Sequence, residues 1–208
     1  MKKMFDSGEA PPRVALEPLL QFNHLYAIGP LAGLRGEILV WDGTPFVARI
    51  DDERVRVAVE RDAKAPFLVW SSVKTWEEVA VPEEARTLAG LEAWLPDAAR
   101  AARIDPSQPF AFLVIGAVEH ASAHIVDLPP GMPLTHATHD ATQHQVELDH
   151  APVQMLGFFA GDDDSAAGVW THHSTKVHLH LRNQLGTVVG HVDDFTLSEG
   201  AVVRIALR

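Results

Sequence analysis

The stretch that decides the fold is KVHLHLRNQLGTVVGHVDDF, from Lys176 to Phe195, which places three histidines within twenty residues. His178 and His180 are separated by one residue, and residues 183–186 have the composition of a turn before His191. Successive side chains of a strand point to opposite faces, so His178 and His180 share one face. The segment is therefore predicted to be a β-hairpin.

A hairpin with an even number of loop residues places His191 on the same face as the first two histidines. Directly opposed residues have Cβ atoms roughly 4.5–5.5 Å apart, which suits three imidazoles converging on one ion. Three neutral histidines with a fourth position open to water or substrate form a catalytic zinc site. The alternative is an amphipathic hairpin whose histidines are solvated or hydrogen-bonded. Asp193 has the parity of His191 and is either an acceptor that orients a ring or a surface charge.

Composition narrows the chemistry further. The chain has 208 residues with 47% hydrophobic and 22% charged residues, as in ordinary globular proteins, and it contains no cysteine. Histidine and carboxylate are thus the strong metal ligands that remain. The net charge of −11 supplies no basic footprint for nucleic acid, which favours a small-molecule ligand. With no apolar run of about twenty residues and no apolar segment behind Lys2 and Lys3, we expect no membrane partner and a cytoplasmic location.

The remaining segments predict an α+β protein with mainly antiparallel sheets and a few helices. GEILVWDGTPFVARIDDERVRVAVE, residues 36–60, alternates like two or three strands, with turns at Asp42-Gly43 and Asp51-Asp52. Residues 81–104 have helical spacing, with Glu83 and Glu84 near the helix start. PFAFLVIGAVEHASAHIVDL, residues 109–128, returns to strand character, and VVRIAL ends the chain as a strand.

These patterns divide the chain into four regions. Residues 1–15 are expected to be poorly ordered, and residues 16–128 to form an N-terminal sheet-rich half with one main helix region. Residues 129–150 are interpreted as a turn-rich, histidine-rich link. Residues 151–208 form a C-terminal half that carries the hairpin. The histidines of the link and the pair His172-His173 fit no ligand spacing, and we interpret them mostly as surface loop residues.

The hairpin resembles the metal motif of the α-acetolactate decarboxylase family, which has a His-Leu-His strand, a turn and then Gly-His-Val at the same spacing. AIGPLAGLRGEILVWDGTPFVAR, from Ala27, is similar to the family's N-terminal Gly-Glu strand and its Asp-Gly turn. The resemblance extends from there to near the C-terminus. It implies an acetolactate-decarboxylase-like fold of two sheet-rich halves, a homodimer, and zinc or another divalent metal bound by His178, His180 and His191.

The resemblance also implies a reaction. In this family zinc acts as a Lewis acid on a 2-hydroxy-3-oxo acid, and a carboxylic acid and an arginine help to protonate the enediolate, giving acetoin. Glu37, in RGEILV, matches the acid that reaches the metal from the N-terminal half. Leu113 stands where the family has one arginine, and His124 stands at the arginine of its Thr-Arg-Thr strand. His124 or Arg35 would have to replace the missing guanidinium, and the chain ends at Arg208 without the segment that supplies a second glutamate.

Two functions follow as expectations. The first is a zinc-dependent carboxy-lyase that converts α-acetolactate, or a similar acid, to a hydroxyketone, with Glu37, His124 and Arg35 as candidate catalytic residues. The second is a non-catalytic module that binds a metal or a small ligand, having kept the hairpin and lost the chemistry. A more distant similarity of the HLHL…GH signature to the plant-and-prokaryote conserved domain is compatible with the second function.

Overall fold

The computed structural model describes residues 2–161 and 175–207. Its helices are α1 (Lys2–Ser7), α2 (Leu16–Leu19), α3 (Leu88–Ala101) and α4 (His136–Ala141), with 3₁₀ turns at Ala32–Leu34 and Glu83–Ala85. Its strands are β1 (Val14–Ala15), β2 (Leu25–Pro30), β3 (Glu37–Trp41), β4 (Thr44–Asp51), β5 (Arg54–Val59), β6 (Lys64–Ala65), β7 (Val69–Ser72), β8 (Trp76–Ala80), β9 (Phe110–Val126), β10 (Gln143–Phe159), β11 (Val177–Asn183), β12 (Val189–Leu197) and β13 (Val202–Ala206).

The first sheet has the strand order β5-β4-β3-β2-β7, and all of its pairings are antiparallel. The predicted meander of residues 36–60 is confirmed as β3, β4 and β5. Asp42 and Gly43 have positive φ values of 46° and 78°, as a two-residue hairpin turn requires. The second turn falls on Asp52 and Glu53, one residue later than predicted.

The second sheet has the order β10-β11-β12-β9-β13-β8, with a further pairing of β10 with β9. Because β9 pairs with both β10 and β12, the hydrogen bonds of β9, β10, β11 and β12 form a closed circuit. This circuit removes free edges around the histidine hairpin. The hairpin is therefore held on both sides, by β10 and by β9.

Apolar alternation decides which face of each sheet meets the other. In β3, Leu39 packs in a cluster shared with Leu156 and Val189 of the second sheet, whereas Ile38 and Val40 pack on the opposite side, near α2. Helix α3 covers the outer face of the second sheet. The architecture is thus α+β, with a central core between two antiparallel sheets.

Three boundaries differ from the sequence prediction. Residues 1–15 contain α1 and β1, because Met4 and Ala10 are buried in an apolar cluster with Leu134. The region 129–150 contains α4 and the first half of β10, because the alternating residues of β10 pair with β9 along its whole length. The second sheet begins at β8, well before the predicted division between halves.

Helix α3 is shorter at its start than predicted. Thr87 caps it by accepting a hydrogen bond from the Gly90 amide at 3.1 Å, and Glu83 and Glu84 lie in a separate 3₁₀ turn before the cap. No helix among residues 2–161 and 175–207 has the length and apolar character that crossing a bilayer needs.

Candidate metal centre

The three hairpin histidines converge as the spacing predicts. His180 lies directly opposite His191 in the pairing of β11 with β12. The ring centroids are 5.1 Å apart for His178 and His180, 5.1 Å for His178 and His191, and 5.3 Å for His180 and His191. One ligand nitrogen from each ring lies within 4.8 Å of the other two. The prediction that the three residues share one face is confirmed.

The turn of the hairpin fixes this register. Arg182 pairs with Val189, so the six residues 183–188 form the connection, an even number. The Asn183 side-chain oxygen accepts hydrogen bonds from the amides of Thr187 and Val188, at 2.9 and 3.1 Å. These bonds satisfy backbone donors that the tight connection would otherwise leave exposed. A shift of one residue would move the histidines to the opposite face.

The donor set fits a divalent metal. His178 and His180 are buried at 4% and 1% exposure, and His191 is half-buried. Three imidazoles with no thiolate form the protein ligand set of catalytic zinc sites that keep an open position. Among the described residues this cluster is the group whose ligand atoms lie close enough to hold an ion.

Glu37 reaches this cluster from the first sheet. It begins β3 and has the parity of Leu39, so it faces the second sheet, and its Oε2 lies 3.7 Å from His180 Nε2. Gly36 precedes it at φ +138°, where a Cβ atom would lie 2.1 Å from the Ala48 carbonyl oxygen. Only glycine fits this approach, so the Gly-Glu pair sets the entry of the carboxyl group.

Burial governs the ionisation of Glu37. The side chain is 3% exposed, and this desolvation raises its pKa well above the usual value of a glutamate. A hydrogen bond from the Val126 backbone opposes the rise, and the negative charge of Asp193 adds to it. Glu37 is therefore a carboxylic acid that retains its proton to a higher pH than an exposed glutamate.

His124 lies next to the cluster on the long strand β9. It pairs directly with His191, and the two ring centroids are 4.9 Å apart. Its Nδ1 lies 2.6 Å from Asp193 Oδ1. Asp193 falls in a register shift of β12 between Val192 and Asp194, and such a bulge redirects a side chain. The acceptor predicted from its parity thus holds the ring of His124.

Known proteins resemble this chain in sequence and in fold. The family model described as alpha-acetolactate decarboxylase matches residues 25–207. The chain belongs to the alpha-acetolactate decarboxylase family. In a search by sequence, no curated protein matches the chain.

Solved structures of acetolactate decarboxylases share its fold. The enzyme of Bacillus subtilis strain 168 matches with a TM-score of 0.79 and 18% identity, covering 100% of this chain and 82% of its own. The enzyme of Bacillus subtilis subspecies spizizenii gives 0.77 and 18%, covering 100% and 83%. A Staphylococcus aureus protein described as similar to alpha-acetolactate decarboxylase gives 0.73 and 17%, covering 94% and 78%. A plant- and prokaryote-conserved protein of Pyrococcus horikoshii reaches only 0.38, which supports no functional argument.

Leu113, a departure from the family motif, has a definite place in the fold. Leu113 pairs with Leu156, whose other neighbour is His180, so Leu113 lies on the histidine face two strands from His180. It is 2% exposed and packs in the core between the sheets. This acetolactate decarboxylase family member therefore has an apolar core side chain at that position, on the sheet face that carries His180.

Arg35 has partners of its own at the end of β9. Its Nε lies 3.1 Å from Asp127 Oδ1, and its Nη1 donates to the Leu128 carbonyl oxygen at 3.2 Å. These two partners hold the side chain at the surface of the β9 end, and it does not line the cavity beside the histidines. Arg35 lies outside the cavity lining, and its catalytic role stays a prediction.

His139, by contrast, is a site residue that the sequence interpretation missed. It lies in α4, is 9% exposed, and lines the same cavity as the metal cluster. Its ring centroid is 6.2 Å from that of His124, edge to face. Burial lowers its pKa. Thr135 caps α4 through a reciprocal hydrogen-bond pair with Thr138, which lacks the glutamate or glutamine of the usual sequence signature.

The other described histidines of the predicted link lie outside the cluster. His136 and His150 are exposed, and His144 is half-buried on β10. His172 and His173 lie outside the described residues.

Proposed function

We propose that this protein is a zinc-dependent carboxy-lyase that decarboxylates α-acetolactate, or a similar 2-hydroxy-3-oxo acid, to a hydroxyketone such as acetoin. The observation that carries the proposal is the meeting of Glu37 with the three histidines across the two sheets, 3.7 Å from His180. A carboxyl group whose pKa is raised by burial, beside a metal-binding cluster, can supply the proton that is added after decarboxylation. Membership of the family supports the same reaction.

The residues of the centre have separate roles in this reaction, metal binding and proton donation. His178, His180 and His191 would hold the metal and leave a coordination position open. When bound, the metal stabilises the negative charge that develops on the substrate oxygens. As the bond to the carboxylate breaks and carbon dioxide leaves, its electron pair forms a double bond to the adjacent carbonyl carbon, and the carbonyl oxygen takes the negative charge. Glu37 then gives its proton to the carbon that lost the carboxylate.

His124 takes the place of the arginine in this proposal. Asp193 fixes its ring through Nδ1, which leaves Nε2 to contact the substrate. An imidazole cannot offer the two parallel bonds of a guanidinium, so carboxylate binding rests on a single contact. We therefore expect weaker substrate binding than an arginine would give.

The decisive experiment measures acetoin released from racemic α-acetolactate by zinc-reconstituted protein. His178→Ala is the blank, and zinc content is measured in each sample. Glu37→Gln keeps the shape of the side chain and should retain zinc while turnover falls about 10²–10⁴-fold. Fully metallated protein that releases no more acetoin than the blank contradicts the proposal.

A second candidate is a non-catalytic module that binds a metal or a small ligand. The observation that favours it is Leu113, which packs into the core between the sheets at a family arginine position. The Glu37→Gln variant separates the two functions. A binding module keeps its ligand affinity within a small factor in that variant, whereas a lyase loses turnover.

Oligomeric state, binding partners and cellular location form a further part of the proposal. We expect a homodimer with a small-molecule substrate and no nucleic-acid or membrane partner, located in the cytoplasm. The net charge of −11 supports the exclusion of nucleic acid. Light scattering during size exclusion tests the dimer, since a mass of about 22.7 kDa would show a monomer.

A further inference from the structure

The cavity beside the metal cluster has a polar and an apolar lining. Histidines and Glu37 form its polar end. The other lining side chains form an apolar wall: Met4, Phe5, Pro30, Leu34, Phe67 and Val126. The cavity volume is about 30 Å³, room for roughly one or two water molecules, so a larger substituent has to press against its lining. A ligand whose oxygens occupy the polar end must place its carbon substituent against the apolar wall.

Helix α1 supplies the part of this wall that comes from the N-terminal segment. Met4 is 5% exposed and packs in one cluster with Leu34, Val126 and Leu134. Phe5 stacks on the ring of His136, with centroids 4.0 Å apart and planes 15° apart. Met4 therefore has little room to move away from the cavity.

Two backbone hydrogen bonds fasten the segment that follows α1. The Leu134 amide donates to the Gly8 carbonyl at 3.1 Å, and the Gly33 amide donates to the Ala10 carbonyl at 2.8 Å. Both bonds join the N-terminal segment to residues next to the cavity wall. The N-terminal segment that carries Met4 and Phe5 is thus held by main-chain hydrogen bonds as well as by side-chain packing.

We infer that Met4, supported by Phe5, sets the length of the alkyl substituent that the site accepts on the carbon bearing the hydroxyl and carboxylate. Because the cavity is small and Met4 is buried in its apolar wall, each further methylene of that substituent has to displace Met4. The inference rests on the proposed function for the polar end, where the substrate oxygens lie. It assigns a specificity-determining role to a side chain from α1, outside both sheets.

The test uses unreactive ligands, so its readout is binding. Zinc-loaded protein is titrated by calorimetry with 2-hydroxy-2-methylpropanoate and with homologues in which one methyl group becomes ethyl, propyl or butyl. A tight apolar pocket discriminates by roughly 10–200-fold against one methylene too many. We expect affinity to fall at least about tenfold from the methyl to the propyl compound in the unaltered protein.

A smaller and a larger side chain at position 4 should change the affinity for the longer alkyl compounds in opposite directions. Met4→Ala should bind the propyl and butyl compounds at least about tenfold more tightly than the unaltered protein, with the methyl compound changed by less than about threefold. Met4→Phe should weaken the ethyl compound. Asp6→Ala is the matched control, because Asp6 lies on α1 and is exposed.

The outcomes separate this inference from the proposed function. If Met4→Ala binds the longer compounds more tightly while the zinc-loaded protein releases no acetoin, Met4 selects ligands by length and the lyase proposal fails. If acetoin is released but the affinity falls by the same factor from the methyl to the butyl compound in the unaltered protein and in both Met4 variants, the inference is overturned. It is also overturned if none of the acids binds the zinc-loaded protein.

Discussion

Asp193→Ala tests whether the bulge in β12 builds the contact that holds His124. The substitution removes the acceptor 2.6 Å from His124 Nδ1, on a ring whose side chain is 5% exposed. A buried donor that loses its partner costs about 1–3 kcal/mol. The Asp193 side chain is 34% exposed, so water partly replaces it, and solvent screening favours the lower part of that range. We expect a loss of about 1–2 kcal/mol in the free energy of unfolding.

Urea denaturation of the metal-free protein measures this loss, and thermal melting checks it. For a chain of this size, about 1 kcal/mol lowers Tm by about 2–4 °C, so a decrease of about 2–8 °C is expected. Glu199→Ala is the control, since Glu199 is an exposed carboxylate beyond the end of β12. A double-mutant cycle with His124→Gln then isolates the coupling between the two side chains.

The reasoning is refuted if Asp193→Ala and Glu199→Ala have the same stability, or if the coupling energy with His124→Gln is near zero. In that case the short contact contributes nothing to folding. The register shift of β12 would then need another explanation. A large coupling with unchanged turnover would instead show that the pair serves stability and not the reaction.

Four further predictions follow from the site and the fold. Burial raises the pKa of Glu37 in the folded state. The contribution of Glu37 to the free energy of unfolding is therefore fully present below its unfolded-state pKa and is lost as the pH rises through its folded-state pKa. Glu37→Gln should stabilise the metal-free protein in thermal melts at alkaline pH and not near pH 4. His191→Ala should reduce bound zinc, measured by atomic absorption, and abolish the rise in Tm on zinc addition. Leu113→Arg should cost about 3–5 kcal/mol in urea denaturation, because it places a charge in the core between the sheets; a stable variant would show that the guanidinium reaches a partner. Thr87→Ala should cost about 1 kcal/mol in the same assay by removing the cap from the Gly90 amide, and an unchanged midpoint would exclude the cap as a stabilising contact.

Local patterns predicted the elements that depend on near neighbours. The alternation in residues 36–60 and the Asp42-Gly43 turn gave β3, β4 and β5, because two-residue turns and strand periodicity are encoded within a few residues. The part of β10 within residues 129–150 was interpreted as a link because its composition is polar and histidine-rich, although its burial alternates. It becomes a strand through its pairing with β9. Pairing between distant strands leaves no mark in the spacing of a single segment.

By itself, the sequence determined the hairpin and the shared face of His178, His180 and His191, since their spacing and an even loop fix the side on which they lie. The tertiary structure decided what surrounds that face. The packing of two sheets brings Glu37 to the histidines, and a bulge brings Asp193 to His124. Parity within a strand is a local property of the backbone, whereas the approach of distant segments depends on how the whole core packs.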